Sequence, residues 1–532
     1  MTPPLVAVVG QSDTHAALLA ALEAALPVRF ERVGADAARS APAVVWLDGD
    51  AEEAAEGQRS FVVESGAGAA GGGAGAAASD TVVLGDSERL DVRLRGATMR
   101  DPAAAALRPL DAEPGEEILA RGESGRLWTR QGPRDRVALG PAPLPDGGAL
   151  LDLLRPEAWL SLLPLVHFLR EVAGPARWSP PPLRAAFLID DPNLHSSRYG
   201  HIAYRRLVEH ADEHGYHTAF AMVPLDAWFA HPAAARLFRE RADRLSLLVH
   251  GNDHLKRELG QERSGSDTVA LLAQAQRRMD AFERRSGVAV DRVMAAPHGA
   301  CSRDAMAALP RLGYEAACIS RPYPWLDGPP PGRTLAGWEP GALVATGTPV
   351  VPRIPIERAS EQLPLRAFLD QPLVVYGHHD DLAGGLDPFA SLAGTINGFG
   401  PVRWERLAGI CRSNFATRVE AGVLSVRAWS RRLEVEVPAG VDAVGVELPG
   451  PDEPPEWRHV TVGGERRELR EHGSVWRADP VPVAPGRVEI YVPDPAPVDP
   501  AAAPGRRTGA WPLARRALVE ARDRLGPVLS RG

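Results

Sequence analysis

Apolar and polar residues in this 532-residue chain follow three different rhythms in succession. Up to about residue 130, apolar runs of four to six residues alternate with a helix-period segment: PLVAVVG, SDTHAALLAALEAALP, VRFERVG and APAVVWLDG. That alternation predicts a small α/β layer with a parallel sheet. The tract GAGAAGGGAGAAAS at 66–79 interrupts it and is expected to be a flexible loop. VAVVGQSDTH lacks the G-x-G-x-x-G spacing, so a structural or ligand-sensing role suits this region better than dinucleotide binding.

A helix-period stretch at 150–174 and the proline run SPPPL at 179–183 mark a boundary. From 184 to about 415 the pattern is strictly βα. Its strands are AAFLI (185–189), TAFAMV (218–223), LSLLV (245–249), RVMAA (292–296), AACI before a Pro-aromatic loop, and LVVY (373–376). Helices such as YGHIAYRRLVEHADEHG and SDTVALLAQAQRRMDAFERRSG lie between them. Buried apolar strands joined by amphipathic helices predict a parallel sheet covered on both faces, or a closed barrel. Beyond about 420 the residues alternate with turn signals, as in SVRAWSRRLEVEVPAG and RVEIYVPDP, which predicts an antiparallel β-sandwich. A Pro-Ala linker then leads to one amphipathic basic helix (512–525), whose arginines read as a solvated face. The expected layout is a flavodoxin-like α/β domain (1–145), a (β/α) domain with a lead-in helix (146–420), a β-sandwich (421–497), and a linker with a helix (498–532).

Composition narrows the function. A formal net charge of −8 argues against general nucleic-acid binding, which usually needs a basic face. Only Lys256 is a lysine among 60 basic residues, a coding bias rather than chemistry. Cys301, Cys318 and Cys411 are too few and too scattered for a disulfide framework or a cysteine-type zinc site. Arg155, Glu157 and Arg170 interrupt the apolar stretch at 150–174, so no membrane span is expected. MTPPLVAVVGQSDTH has no basic leader and reads as a strand, so the expected location is the cytoplasm.

The chemistry gathers at the strand ends. AAFLI ends in Asp190-Asp191, LSLLV ends in HGNDH (His250 and His254), RVMAA ends in Pro297-His298-Gly299, and LVVY ends in Gly377-His378-His379-Asp380-Asp381. In either βα architecture, reactive groups belong at the carboxyl ends of the strands. An H-x-x-x-H on a helical turn puts two imidazoles about 6 Å apart on one face, within reach of one cation. One carboxylate added to them makes a 2-His-1-carboxylate set. In a chain with 15 histidines that motif alone would read as surface histidines, and Asp-Asp-Pro-Asn alone as a turn. Their meeting on one rim favours a metal site.

The order Asp-Asp, H-x-x-x-H, a Pro-aromatic-Gly-type loop and a late strand-end histidine resembles the NodB-homology polysaccharide deacetylases (carbohydrate esterase family 4) over about 184–415. The resemblance implies an irregular (β/α) barrel, and a divalent ion that is zinc first, with cobalt, nickel or manganese as alternatives. It implies Asp190 as general base and Asp191, His250 and His254 as metal ligands. His378 is implied as general acid, with His379 as rival because the register after Gly377 is ambiguous. Asn193, Pro297, His298 and Trp325 are candidate substrate-binding residues, and His195, Tyr323, Asp253 and Asp380 are further candidates for the cleft. The implied activity is metal-dependent hydrolysis of an amide, N-deacetylation of an amino sugar or polysaccharide.

Three positions depart from the family pattern. Ala295 stands where an arginine usually orients the catalytic aspartate, Gly251 replaces a usual Ser or Thr, and His298 takes an aromatic position. Other readings therefore stay open: a non-catalytic carbohydrate-binding protein on a NodB-like scaffold, or another metal-dependent hydrolase of non-peptide C–N bonds.

Overall fold

The computed structural model describes residues 2–10, 13–49, 55, 57–64, 79–451 and 453–529. The chain divides into two compact units. One comprises Met1–Trp178 with the returns Pro329–Trp338 and Glu361–Leu369. The other comprises Ser179–Gly328, Glu339–Ser360 and Asp370–Gly532.

In the first unit, the strands Leu5–Val9, Arg29–Arg32, Ala43–Gly49 and Arg59–Glu64 run parallel. The second half of the same sheet departs from the expected parallel pattern. Glu117–Gly122, Gly125–Gln131 and Arg134–Val137 form an antiparallel meander. Loop length is the reason: two residues join each pair, enough for a hairpin and far too few for a crossover. The helix Leu163–Ala173 buries Leu163, Leu165, Val166, Phe168 and Leu169, which accounts for the apolar stretch there. No helix among the described residues is long and apolar enough to cross a membrane. The glycine-alanine tract at 66–79, expected as a loop, lies outside the described residues except for Ser79.

The second unit is built on a closed barrel of seven parallel strands. They are β1 (Leu183–Asp190), β2 (Thr218–Met222), β3 (Leu245–His250), β4 (Val290–Ala295), β5 (Ala316–Ile319), β6 (Thr348–Pro355) and β7 (Leu373–Gly377). Neighbours follow chain order, and the barrel closes because β1 pairs with both β2 and β7. Every residue of β1 is buried, so its apolar run shows no alternation. Ala186, Leu188, Ala219, Ala221, Ala295, Cys318, Val351 and Val374 form a core with Leu407, Ile410 and Cys411 of a short helix, Leu407–Arg412. Other strand residues pack outward. Phe187 stacks on Phe389 with ring centroids 4.0 Å apart and meets Tyr216 and Trp404.

β6 is the barrel strand that the hydrophobic pattern does not reveal. TPVVPRIP carries Pro349, Pro352 and Pro355, which normally argue against a central strand. The strand tolerates them by sharing its edges: Val350 to Pro352 face β5, while Arg353 to Pro355 face β7.

Between the strands run α1 (Tyr204–His214) and α2 (Gly265–Ser286). After the barrel, eight strands between Phe415 and Tyr491 form a mostly antiparallel sheet around one core that includes Val426, Leu433, Val446, Trp457 and Ile490. The following segment lies along α2, where Arg277 donates to the carbonyls of Pro500, Ala503 and Pro504. It ends in α3 (Ala510–Leu529). Phe187→Ala should empty the aromatic layer outside β1 and cost about 3–5 kcal/mol. A lowered urea midpoint of the second unit's unfolding transition measures it; an unchanged midpoint contradicts this packing account.

Candidate functional site

β1 delivers two carboxylates, and the backbone sends them apart. Asp190 is the last residue of the strand and is buried; Asp191 follows with φ +82°, in the left-handed region that a non-glycine residue rarely adopts. Its N–H is held by the Ala221 carbonyl of the strand next door, 3.1 Å away. His254 (φ +53°) and His298 (φ +58°) share this strained conformation. Three such residues at one rim form the kind of cluster that marks functional sites.

His250 ends β3. Its Nδ1 donates to the Ala295 carbonyl at 2.9 Å, so the lone pair lies on Nε2, which faces Asp191 Oδ1 at 3.9 Å. His254 Nε2 lies 3.1 Å from the same oxygen. The donor atoms of Asp191, His250 and His254 all fall within 4.8 Å of one another. Tetrahedral ligands at 2.0–2.2 Å from zinc stand about 3.4 Å apart, so these spacings fit one ion. Asp191 Oδ1 is buried without a hydrogen-bond partner, the state expected of an oxygen reserved for a cation. Burial alone would raise the Asp191 carboxyl. His254, His250, Arg516 and His378 outweigh it and hold the group well below the usual carboxylate range. Burial drives His254 down to about 3 against the pull of Asp191, leaving a neutral imidazole, the form that ligates metal.

The turn that carries His254 is tied by Glu258. Its carboxylate accepts the N–H groups of Asn252 (2.8 Å), Asp253 (2.9 Å) and His254 (3.2 Å). Gly251 has φ +62°, and a Cβ there would meet Pro297 Cγ at 2.6 Å and Glu258 Oε2 at 2.8 Å. This crowding explains glycine at the position where the family pattern has Ser or Thr.

Asp190 is held by Arg353 of β6, whose Nη1 lies 3.1 Å and 3.0 Å from the two carboxylate oxygens, both residues being buried. The guanidinium also rests over the Tyr376 ring, 4.0 Å from its centroid. Position 295, where the family pattern has its arginine, contributes a small side chain to the barrel core instead.

The remaining predicted residues divide. His378 is exposed, with its N–H fixed by Asp381 Oδ2 at 2.7 Å. His379 is buried with Tyr199 and Asp523. His298 is exposed, its ring 5.3 Å from that of His254. Pro297 packs under Gly251. Asn193 is turned inward, bonding Asp226 and the His195 N–H. His195 uses both ring nitrogens, on Glu520 Oε1 (2.9 Å) and the Asp226 carbonyl (2.8 Å). Asp253 is buried against Arg278 and Arg506 and is no cleft residue. Trp325 meets Tyr323 edge-on at 5.8 Å, and among the described residues makes no ring contact with the histidines.

The basic helix corrects the sequence reading most sharply. Arg515 and Arg516 are not part of a solvated face, while Arg522 and Arg524 stay exposed. Arg516 of α3 is buried, donating to Asp226 Oδ2 (2.6 Å) and the Asp191 carbonyl (2.7 Å), while Arg515 donates to the His254 carbonyl (2.6 Å).

Scanned against protein-family models and curated proteins, the sequence matches none. Among solved structures it is similar to a Mycobacterium smegmatis protein assigned as a polysaccharide deacetylase, at 16% identity and TM-score 0.33, over 46% of this chain and 93% of that one. It is similar to a family 4 carbohydrate esterase from Streptomyces lividans in complex with acetate (12% identity, TM-score 0.28, 44% and 98%). A T48 deacetylase with substrate is a further match (10% identity, TM-score 0.27, 43% and 90%).

Glu258→Ala would leave three N–H groups without their acceptor and loosen His254. Metal affinity, measured by competition with a chromophoric chelator, should fall about 10- to 100-fold, as for other outer-shell partners. A change under about twofold would remove Glu258 from this role.

Proposed function

We propose that the second unit is a metal-dependent amide hydrolase that removes the acetyl group from an N-acetylated amino sugar or polysaccharide. The observation that carries this reading is the division of the Asp190-Asp191 pair. One carboxylate is charge-paired to Arg353, and the other turns toward two histidines with its buried Oδ1 accepting no hydrogen bond.

Asp191, His250 and His254 would hold the ion, zinc by preference for a donor set of two imidazoles and one carboxylate, with cobalt, nickel or manganese as alternatives. Such an ion, once bound, lowers the pKa of water and polarises a carbonyl oxygen. Asp190 is the base that takes the proton of the attacking water, and Arg353 fixes its orientation from the barrel interior. His378 gives a proton to the departing amine. Its exposure and its influence on Asp191 favour it over His379, which is buried in another cluster. His298, exposed beside His254, is the substrate-facing residue of this rim. Trp325, held edge-on by the buried Tyr323, is proposed as a sugar-stacking surface.

Arg353 also bears on the non-catalytic alternative. That reading drew its support from alanine at 295, and Arg353 offers Asp190 the positive partner that the position lacks.

Acetate release from N-acetyl sugars and their oligomers, measured on metal-loaded protein, tests the proposal; no release from any of them rejects it. Asp190→Asn should abolish turnover while metal content stays unchanged, and retained turnover removes Asp190 as the base. His378→Ala should lower kcat by about 10²- to 10⁴-fold, the usual size of a proton-transfer contribution; an unaffected kcat returns the assignment to His379.

A further inference from the structure

A second group of metal-ligand side chains lies outside the Asp191 site. Arg198–Tyr199 and Ile202–Ala203 pair as a small hairpin whose two loop residues are Gly200 and His201. The hairpin tip meets the end of β7, where His201 Nε2 lies 3.7 Å from Asp380 Oδ1 and His379 Nδ1 lies 3.1 Å from the same oxygen. One donor atom from each of the three falls within 4.8 Å of the others. His379 is 4% exposed, and its Nδ1 is buried with no hydrogen-bond partner.

The surroundings hold that ring in place. Gly200 has φ +51°, and a Cβ there would lie 2.4 Å from His379 Nδ1, so only glycine lets the hairpin approach the imidazole. On the ring's other side, Nε2 faces Asp523 Oδ1 of α3 at 3.5 Å, and Tyr199 donates to the second oxygen of Asp523 at 2.7 Å. A carboxylate on one ring nitrogen fixes the tautomer and leaves the other nitrogen for a metal.

We propose that His201, His379 and Asp380 form a second divalent-cation site, distinct from the Asp191 site, that ties the hairpin and β7 to α3 through Asp523. Two imidazoles and a carboxylate suit zinc, nickel or cobalt. The carboxylate of Asp380 is 70% exposed, so the ion exchanges with solvent and keeps open positions for water.

The test is metal stoichiometry of the full chain, stripped with chelator, dialysed against zinc and measured by elemental analysis. The expected values are two ions per chain in the unaltered protein, one in His201→Ala or Asp380→Asn, and one in Asp191→Asn. Asp523→Asn, which touches no ion, should weaken the second site about 10- to 100-fold. Two ions retained in both His201→Ala and Asp380→Asn would overturn the proposal, as would a single ion that only Asp191→Asn removes. An ion lost in His201→Ala but unaffected by Asp191→Asn supports this site and tells against the proposed hydrolase centre instead. Asp380 is exposed, so Asp380→Asn decides the matter even if His201→Ala misfolds.

Discussion

Two carboxylates side by side at the end of a buried strand require positive charge from two directions. At a short separation in a low-dielectric interior, like charges repel by several kcal/mol, and an unpaired buried charge costs more still. The second unit meets this constraint with Arg353, which reaches Asp190 from β6, and with Arg516, whose Nη1 lies 3.6 Å from Asp191 Oδ1 beside the two histidines that converge on that oxygen. The positive φ at Asp191 separates the two environments within one peptide. Closure of the barrel is what brings β6 and β1 within reach, since only β7 stands between them.

The same logic extends to α3. Arg516, Glu520 and Asp523 are spaced four and three residues apart and share one helix face. That face is turned inward, toward Asp226 and the Asp191 carbonyl, toward His195, and toward Tyr199 and His379. Trp511 and Leu518 are left 66% and 67% exposed. The usual amphipathic rule is inverted because the rim that receives the helix is itself polar and charged. Such a face can be buried only if each charge finds a partner. All five contacts fall on segments that follow β1, β2 or β7, so the helix braces the candidate site from one side. The exposed His298 is on the loop after β4, and the exposed His378 directly precedes His379 on the segment after β7.

Much of the barrel was legible because buried parallel strands write themselves as short apolar runs, and because polar residues at their ends are conspicuous. Asp190, Asp191, His250 and His254 were readable for that reason. Arg353 was not, because its strand contains three prolines and carries no periodic signal. Glu258 and Arg516 were invisible for a different reason. Each acts across a turn or across the fold through backbone carbonyl and N–H groups, and a sequence does not record which backbone groups need partners. Periodicity identified α3 as amphipathic, but it cannot say which face meets protein when the receiving surface is charged. The antiparallel half of the first unit's sheet was missed because strand direction depends on loop length rather than on strand composition.

The departures from the deacetylase pattern become intelligible together. Gly251 is required because Pro297 and Glu258 crowd its Cα, and Glu258 is there to hold the turn that carries His254. Pro297 belongs to the loop in which His298, at positive φ, brings its ring to 5.3 Å from His254. Ala295 precedes that loop, lends its carbonyl to His250, and keeps its side chain small inside the barrel, where Arg353 rather than residue 295 supplies the charge. A large side chain at 251 would displace Pro297 or Glu258, and with them the histidine. An arginine at 295 would place a further cation in a barrel that already buries Arg353. Changes that look like losses when taken one position at a time are thus linked by packing and charge, and the linkage runs through the residues that face the two aspartates.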